Sequence, residues 1–173
     1  MRTMPIRVIF LDWGDTLMID DGAQAGPMVD WPRVTAVEGA REALCCLHPR
    51  YRLIVATNAV ISNSHQVRGA LARVSLDELV DDVVASCEIG SAKPEQAFFA
   101  TLLNMASTTE RIDACAAAMV GDSWTNDVCG ALAAGLHAIW LNPSNVPVPE
   151  GGKTPDAVIR SMRDLPEAIA AIE

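Results

Sequence analysis

The chain has 173 residues, half of them hydrophobic and 20% charged, which excludes a disordered polymer and fits one globular domain with a substantial core. Thirteen basic residues against 22 acidic ones give a net charge of -9, and the only lysines are Lys93 and Lys153, so no nucleic-acid or membrane partner is expected. No apolar run approaches the ~18 residues of a membrane span, and Val8-Ile9-Phe10-Leu11 ends in Asp12 rather than in a small-residue cleavage site, so a cytoplasmic protein is expected.

Short apolar runs alternate with helical patterns, the mark of a parallel sheet flanked by helices. Residues 6–12 read as a buried strand. Residues 40–48 read as a helix, with Ala40, Ala43, Leu44 and Leu47 on one face. Leu53-Ile54-Val55-Ala56 is a second strand, 62–73 a helix carrying Val67 and Leu71, and 83–86 a short third strand. Pro94 is expected at the first position of a helix that presents Phe98, Leu102 and Met105 to the core. A fourth strand at 117–120, a small-residue helix at 124–134 and a fifth strand at 137–141 follow. Residues 142–156, with four prolines and two adjacent glycines, form a loop. Residues 157–160 and a helix over 165–172 complete the chain. The five cysteines contain no C-x-x-C pair, and four lie in apolar stretches, so core packing is expected of them.

Polar residues collect where the strands end, which is where an open parallel sheet binds ligands. Asp12 closes the first strand, Thr57-Asn58 the second and Gly121-Asp122 the fourth, while Lys93-Pro94 follows the third. Carboxylates, a hydroxyl and an ammonium together suit a hard divalent cation and a phosphoryl group. Singly, each residue has an ordinary explanation as a cap or a turn residue.

In order, FLDWGDTL (10–17), LIVATN (53–58), Lys93-Pro94 and MVGDSWTND (119–127) resemble the four motifs of the haloacid dehalogenase (HAD) superfamily, over nearly the whole chain. The resemblance implies a three-layer α/β/α Rossmann-like (HAD-like) domain with a mostly parallel sheet, and a Mg2+-dependent phosphatase. Asp12 would be the nucleophile, forming an aspartyl-phosphate. Mg2+ would be held by Asp12, the Gly14 carbonyl, Asp122 and Asp127. Thr57 and the Asn58 N–H would bind phosphoryl oxygens, and Lys93 would neutralise charge between nucleophile and substrate. Trp13 and Trp124 read equally as pocket lining or core, and His48, His65 and His137 lie outside the motifs.

One position departs from that pattern. Phosphatases of the superfamily carry a second aspartate two residues after the nucleophile, which protonates the leaving alcohol and then activates water. Here that position is Gly14, and an acid stands next to it, at Asp15. Neighbouring residues of an extended segment point opposite ways, but a loop can re-aim a side chain, so Asp15 is a candidate acid/base. A rate factor of ~10²–10⁴ is at stake. A haloacid dehalogenase-type hydrolase and a catalytically impaired phosphate-binding or regulatory domain are the alternatives. With no lysine before Lys93, Schiff-base phosphonate chemistry is not expected, and with only Cys87 in 59–92 neither is a zinc-binding loop.

The expected layout is a single domain over 1–173 with residues 18–38 as a short flap in place of a full cap domain. Gly22, Gly26, Pro27 and Pro32 argue against a helical domain there. An open site suits a phosphorylated small molecule, a bulky phosphate ester, or a homo-oligomer in which another subunit completes the pocket.

Overall fold

A computed structural model of the chain describes residues 4–20, 22–108, 110–151 and 153–173. Its strands are β1 (Val8–Leu11), β2 (Arg52–Thr57), β3 (Asp82–Ala85), β4 (Ala117–Gly121), β5 (His137–Leu141) and β6 (Ala157–Ile159). They form one sheet in the order β3-β2-β1-β4-β5-β6, with every neighbouring pair parallel. The helices are α1 (Ala40–Leu47), α2 (Ser64–Ala72), α3 (Ser86–Ile89), α4 (Gln96–Ala106), α5 (Gly130–Ala133) and α6 (Leu165–Ile172).

The central strand β1 is buried at every position, as a strand covered on both faces must be. Ile9 and Leu11 join Leu44, Leu53, Leu71 and Ile169 in one core, while Val8 and Phe10 join Phe98, Phe99, Leu102 and Met119 in the other. Alternation of side chains along each strand thus produces the expected three layers. Leu11 pairs with Val55 of β2 and with Val120 of β4, so these three strands end at nearly the same level. From β1 the sheet grows to β2 and β3 on one side and to β4, β5 and β6 on the other. The crevice of that reversal opens above the carboxyl ends of β1 and β4.

Three expectations need correction. Pro94 does not open α4: the Glu95 N–H donates to the Ala92 carbonyl at 2.8 Å, closing a turn, and the helix starts at Gln96. Met105 is not in the core. Phe98, Phe99, Leu102 and Ala106 are buried, a stripe that continues at every fourth residue and leaves Met105 on the outer edge. The cysteines do not pack inside either, since Cys45, Cys46, Cys87 and Cys115 are exposed and Cys129 is half-buried. On α1 the cause is helical phase: Ala43, Leu44 and Leu47 face the core, and at about 100° per residue Cys45 and Cys46 fall on the opposite side.

Residues 18–38, apart from Asp21, which lies outside the described residues, carry a 3-10 turn at Met28–Asp30. This segment is tied to α2 and its approach. The Arg73 guanidinium donates to the carbonyls of Val29, Trp31 and Pro32, and the Met28 N–H donates to Ser62 Oγ at 2.8 Å. The Trp31 ring is buried edge-on against Trp13, with centroids 5.4 Å apart. Residues 142–156 form the expected loop, Gly152 lying outside the described residues. Among the described residues no helix is long and apolar enough to cross a membrane.

The two outcomes on α4 can be told apart by urea denaturation. Phe98→Ala should cost ~3–5 kcal/mol, as a buried aromatic truncation does. Met105→Ala should stay within ~0.5 kcal/mol of the parent; a loss comparable to that of Phe98→Ala would return Met105 to the core.

Candidate active site

The polypeptide leaves β1 through Asp12, whose N–H donates to the Val120 carbonyl at 2.9 Å and so fixes it against the end of β4. It then turns tightly, with the Leu17 and Met18 N–H groups donating to the Trp13 carbonyl. Thr16 is buried in this turn, its hydroxyl donating to Asp12 Oδ2 at 3.5 Å.

Lys93 is brought to the same place from the far side of β2. Its N–H donates to Asn58 Oδ1 at 2.8 Å while Asn58 Nδ2 donates to its carbonyl at 2.9 Å, stapling the Lys93 backbone to the end of β2. The ammonium is buried and donates to Asp12 Oδ1 at 2.5 Å and to Asp127 Oδ1 at 2.7 Å.

Asp127 comes from a segment expected to be an ordinary helix. Instead, Trp124–Cys129 forms a wider π-type turn that runs on into α5. The Ser123 side chain caps it by accepting the Asn126 N–H, and the Ser123 N–H donates to Asp127 Oδ2 at 3.0 Å. The carboxylate thereby folds back onto Gly121. A Cβ there would lie 2.1 Å from Asp127 Oδ2, so only glycine admits this arrangement. Asp122 is held through its carbonyl, which accepts the Trp140 indole N–H at 2.8 Å.

Every residue singled out in the sequence (Asp12, Gly14, Asp15, Thr57, Asn58, Lys93, Asp122 and Asp127) lines one cavity of about 420 Å³. Trp13 lines it as well as packing in the core, whereas Trp124 packs on Trp140, with ring centroids 4.8 Å apart. Asp15 is exposed, with φ at +50°, and its Oδ1 accepts the Asp20 N–H at 3.1 Å. Asp20, Ser123 and Asn126 also line the cavity, and none of them was foreseen. Ser123 could have been found from its place directly before the segment read as a helix, where a serine caps; nothing in the local sequence signals Asp20.

The electrostatics follow from crowding. Burial, with the neighbouring charges of Asp12 and Asp15, lifts the Asp122 carboxyl to about 6. Burial and Asp12 also raise Asp127, against the pull of Lys93. For Lys93 burial alone would favour the neutral amine, but Asp12 and Asp127 overcome it and hold the ammonium above the ordinary lysine value.

Residues 21–135 match the family model described as haloacid dehalogenase-like hydrolase. The chain belongs to that family. Among relatives, it is 29% identical over 162 residues to the pyrimidine 5'-nucleotidase YjjG of Escherichia coli (strain K12), covering 92% of this chain and 69% of that protein. It is 31% identical over 133 residues to the putative HAD-hydrolase YfnB of Bacillus subtilis (strain 168), covering 75% of this chain and 52% of YfnB. The crystal structure of YfnB bound to magnesium superposes with a TM-score of 0.78 at 17% identity, over 96% of this chain and 99% of the crystallised one. A 2-haloacid dehalogenase from Pseudomonas syringae pv. Tomato DC3000 gives the same TM-score at 20% identity, over 97% and 100%. At such identities the two structures share the fold alone.

The donor set suits a divalent cation. Asp12, Asp122 and Asp127 each offer a carboxylate oxygen, and these oxygens lie within 4.8 Å of one another. Three carboxylates and one ammonium leave a formal charge of -3 + 1 = -2 when all are ionised, the complement of a hard dication.

This has a consequence for stability. The Asp122 pKa of about 6 in the fold exceeds the ordinary aspartate value of 3.8, so the protonated carboxyl favours the native state at low pH and that contribution disappears as pH rises through 6. Mg2+ should therefore raise Tm more at about pH 8 than at about pH 5, as read by thermal unfolding. Asp122→Asn should raise the metal-free Tm at the higher pH and remove most of the Mg2+ response. Equal Mg2+ shifts at both pH values, or an unchanged response in the variant, would refute the cluster as a cation site.

Proposed function

We propose that the protein is a Mg2+-dependent phosphomonoesterase acting through a phosphoryl-aspartate on Asp12. The observation that supports this best is the buried Lys93 ammonium inserted between Asp12 and Asp127, with Asp122 beside them. A wall that combines a fixed cation with surplus carboxylates suits an anionic phosphoryl group accompanied by a dication. It suits attack on the carbon of a haloacid less well.

Lys93 orients Asp12 through Oδ1, and Oδ2 attacks phosphorus. The ester P–O bond breaks and its electron pair leaves on the ester oxygen, while the phosphoryl group stays on Asp12. The Thr57 hydroxyl and the Asn58 N–H hold phosphoryl oxygens, and Lys93 offsets the charge of two anions brought together. Held by Asp12, Asp122, Asp127 and the Gly14 carbonyl, Mg2+ would supply further screening of the phosphoryl oxygens. Water then attacks phosphorus, the bond to Asp12 breaks, and its carboxylate is restored.

The short segment 18–38 points to an open mouth and hence to a phosphorylated small molecule or a bulky phosphate ester. The likeness to a pyrimidine 5'-nucleotidase makes nucleoside 5'-monophosphates the first natural compounds to try. Free thiols on the surface agree with a reducing, cytoplasmic setting.

The test uses p-nitrophenyl phosphate with Mg2+ or with chelator, wild type against Asp12→Asn. Metal-dependent release of nitrophenolate that is abolished in the variant is expected. Metal-independent chloride release from a 2-haloacid would establish a dehalogenase instead, and tight binding of phosphate or beryllium fluoride without turnover would establish a regulatory domain.

A further inference from the structure

Cleaving an alkyl phosphate requires a proton for the departing oxygen, and hydrolysing the phosphoryl-aspartate requires a base for water. Among the described residues, the carboxylates lining the cavity are Asp12, Asp15, Asp20, Asp122 and Asp127. Asp12 and Asp127 are engaged by Lys93, and Asp122 converges with them. Asp15 and Asp20 remain.

Their geometry separates them. Asp15 accepts the Asp20 N–H, and its own N–H donates to the Met18 carbonyl at 2.7 Å, so it serves to close the loop between them. Asp20 accepts the Gly22 N–H through Oδ1, and its carboxylate stands in front of Gly14. A Cβ built on Gly14 would lie 3.6 Å from Asp20 Cβ and 3.7 Å from Oδ2, and among the described residues beyond its chain neighbours Trp13 and Asp15 no other side chain comes within 4 Å of it. Asp20 is held there by the bridge between Gly14 and Met18, by the burial of Met18, and by the Ile19 N–H donating to the Thr35 carbonyl at 2.9 Å. Asp12, Gly14 and Asp20 line the same cavity, and Asp20 delivers a carboxylate to the space in front of Gly14 from six residues further along the chain.

We propose that Asp20 supplies the acid/base carboxylate of this site, in the space that the absent side chain at position 14 leaves open. The inference rests on the phosphomonoesterase reading. As Asp12 bonds to phosphorus, the ester P–O bond breaks, its electron pair stays on the ester oxygen, and that oxygen takes the proton of the Asp20 carboxyl, leaving as the alcohol. The Asp20 carboxylate then takes a proton from water as the water oxygen bonds to phosphorus. The P–O bond to Asp12 breaks with its electrons returning to that carboxylate, inorganic phosphate leaves, and Asp20 is again protonated.

Leaving groups discriminate this role from a structural one. With Mg2+, Asp20→Asn should lose ~10²–10⁴-fold in turnover of β-glycerophosphate, whose alkoxide needs a proton. With p-nitrophenyl phosphate, whose leaving group needs none, it should retain a stoichiometric burst of nitrophenolate and accumulate phosphoryl-Asp12, visible by mass spectrometry after acid quench. Gly14→Asp added to Asp20→Ala should restore turnover of β-glycerophosphate. Wild-type rates for Asp20→Asn on both substrates, loss of the burst as in Asp12→Asn, or no rescue by Gly14→Asp would each overturn the assignment. A wild-type enzyme that releases nothing from either substrate would remove the phosphomonoesterase reading, and this inference with it.

Discussion

The architecture of the site depends on one ammonium. Lys93 is buried, and a buried charge is tolerated only when it is paired and hydrogen-bonded. Asp12 and Asp127 provide that pairing, at 2.5 and 2.7 Å. Asp12 belongs to the end of β1, Asp127 to the turn after β4, and Lys93 to the turn that follows α3, so three separate passages of the chain meet at one nitrogen. Removing the ammonium would leave two carboxylates facing each other at the point where the sheet reverses. Loss of one partner from such a buried pair typically costs ~3–5 kcal/mol, a large share of the ~5–15 kcal/mol by which a domain is stable.

The groups around this contact act on backbone rather than on ligand. The Asn58 side chain clasps the Lys93 peptide groups, the Trp140 indole holds the Asp122 carbonyl, and Ser123 both caps the π-type turn and donates to Asp127. Gly130 contributes in the same way, because a Cβ there would lie 2.7 Å from the Phe99 ring and 3.0 Å from Pro94 Cα. Its absence lets the segment after β4 close onto the start of α4, next to Lys93. A site displaced by 1 Å can lose orders of magnitude in rate, so this supporting layer bears directly on chemistry.

What could be read from the sequence follows the physics of each signal. The strands were legible because a parallel sheet covered on both faces needs unbroken apolar runs, and α1 because Ala40, Ala43, Leu44 and Leu47 keep a single helical phase. The cysteines were misread because apolar neighbours in sequence do not fix which face of a helix a residue occupies. Met105 was misread for a related reason, since spacings of seven and eight residues both fit a helical face and only the core decides between them. The site residues at strand ends were legible because β topology puts strand ends together. Asp20 was not, because its place beside Gly14 depends on a turn closed by backbone hydrogen bonds of Trp13, Asp15 and Met18, which no residue type announces.

Two glycines next to carboxylates show how differently the same absence can be used. At Gly121 the Asp127 carboxylate occupies the space of a Cβ outright, with Oδ2 at 2.1 Å from where that atom would sit. Any side chain there must evict the acid, which fixes both residues as a unit. At Gly14 a Cβ would lie 3.6 Å from Asp20 Cβ and 3.7 Å from its Oδ2, ordinary van der Waals distance, and Gly14 keeps a backbone φ open to any residue. A Cβ on residue 14 would therefore fit beside Asp20 without rearrangement of the backbone. The carboxylate in front of residue 14 is one that the chain supplies from residue 20, beside the Asp12 and Lys93 that line the same cavity, so a glycine at position 14 does not leave the cavity without a further acid.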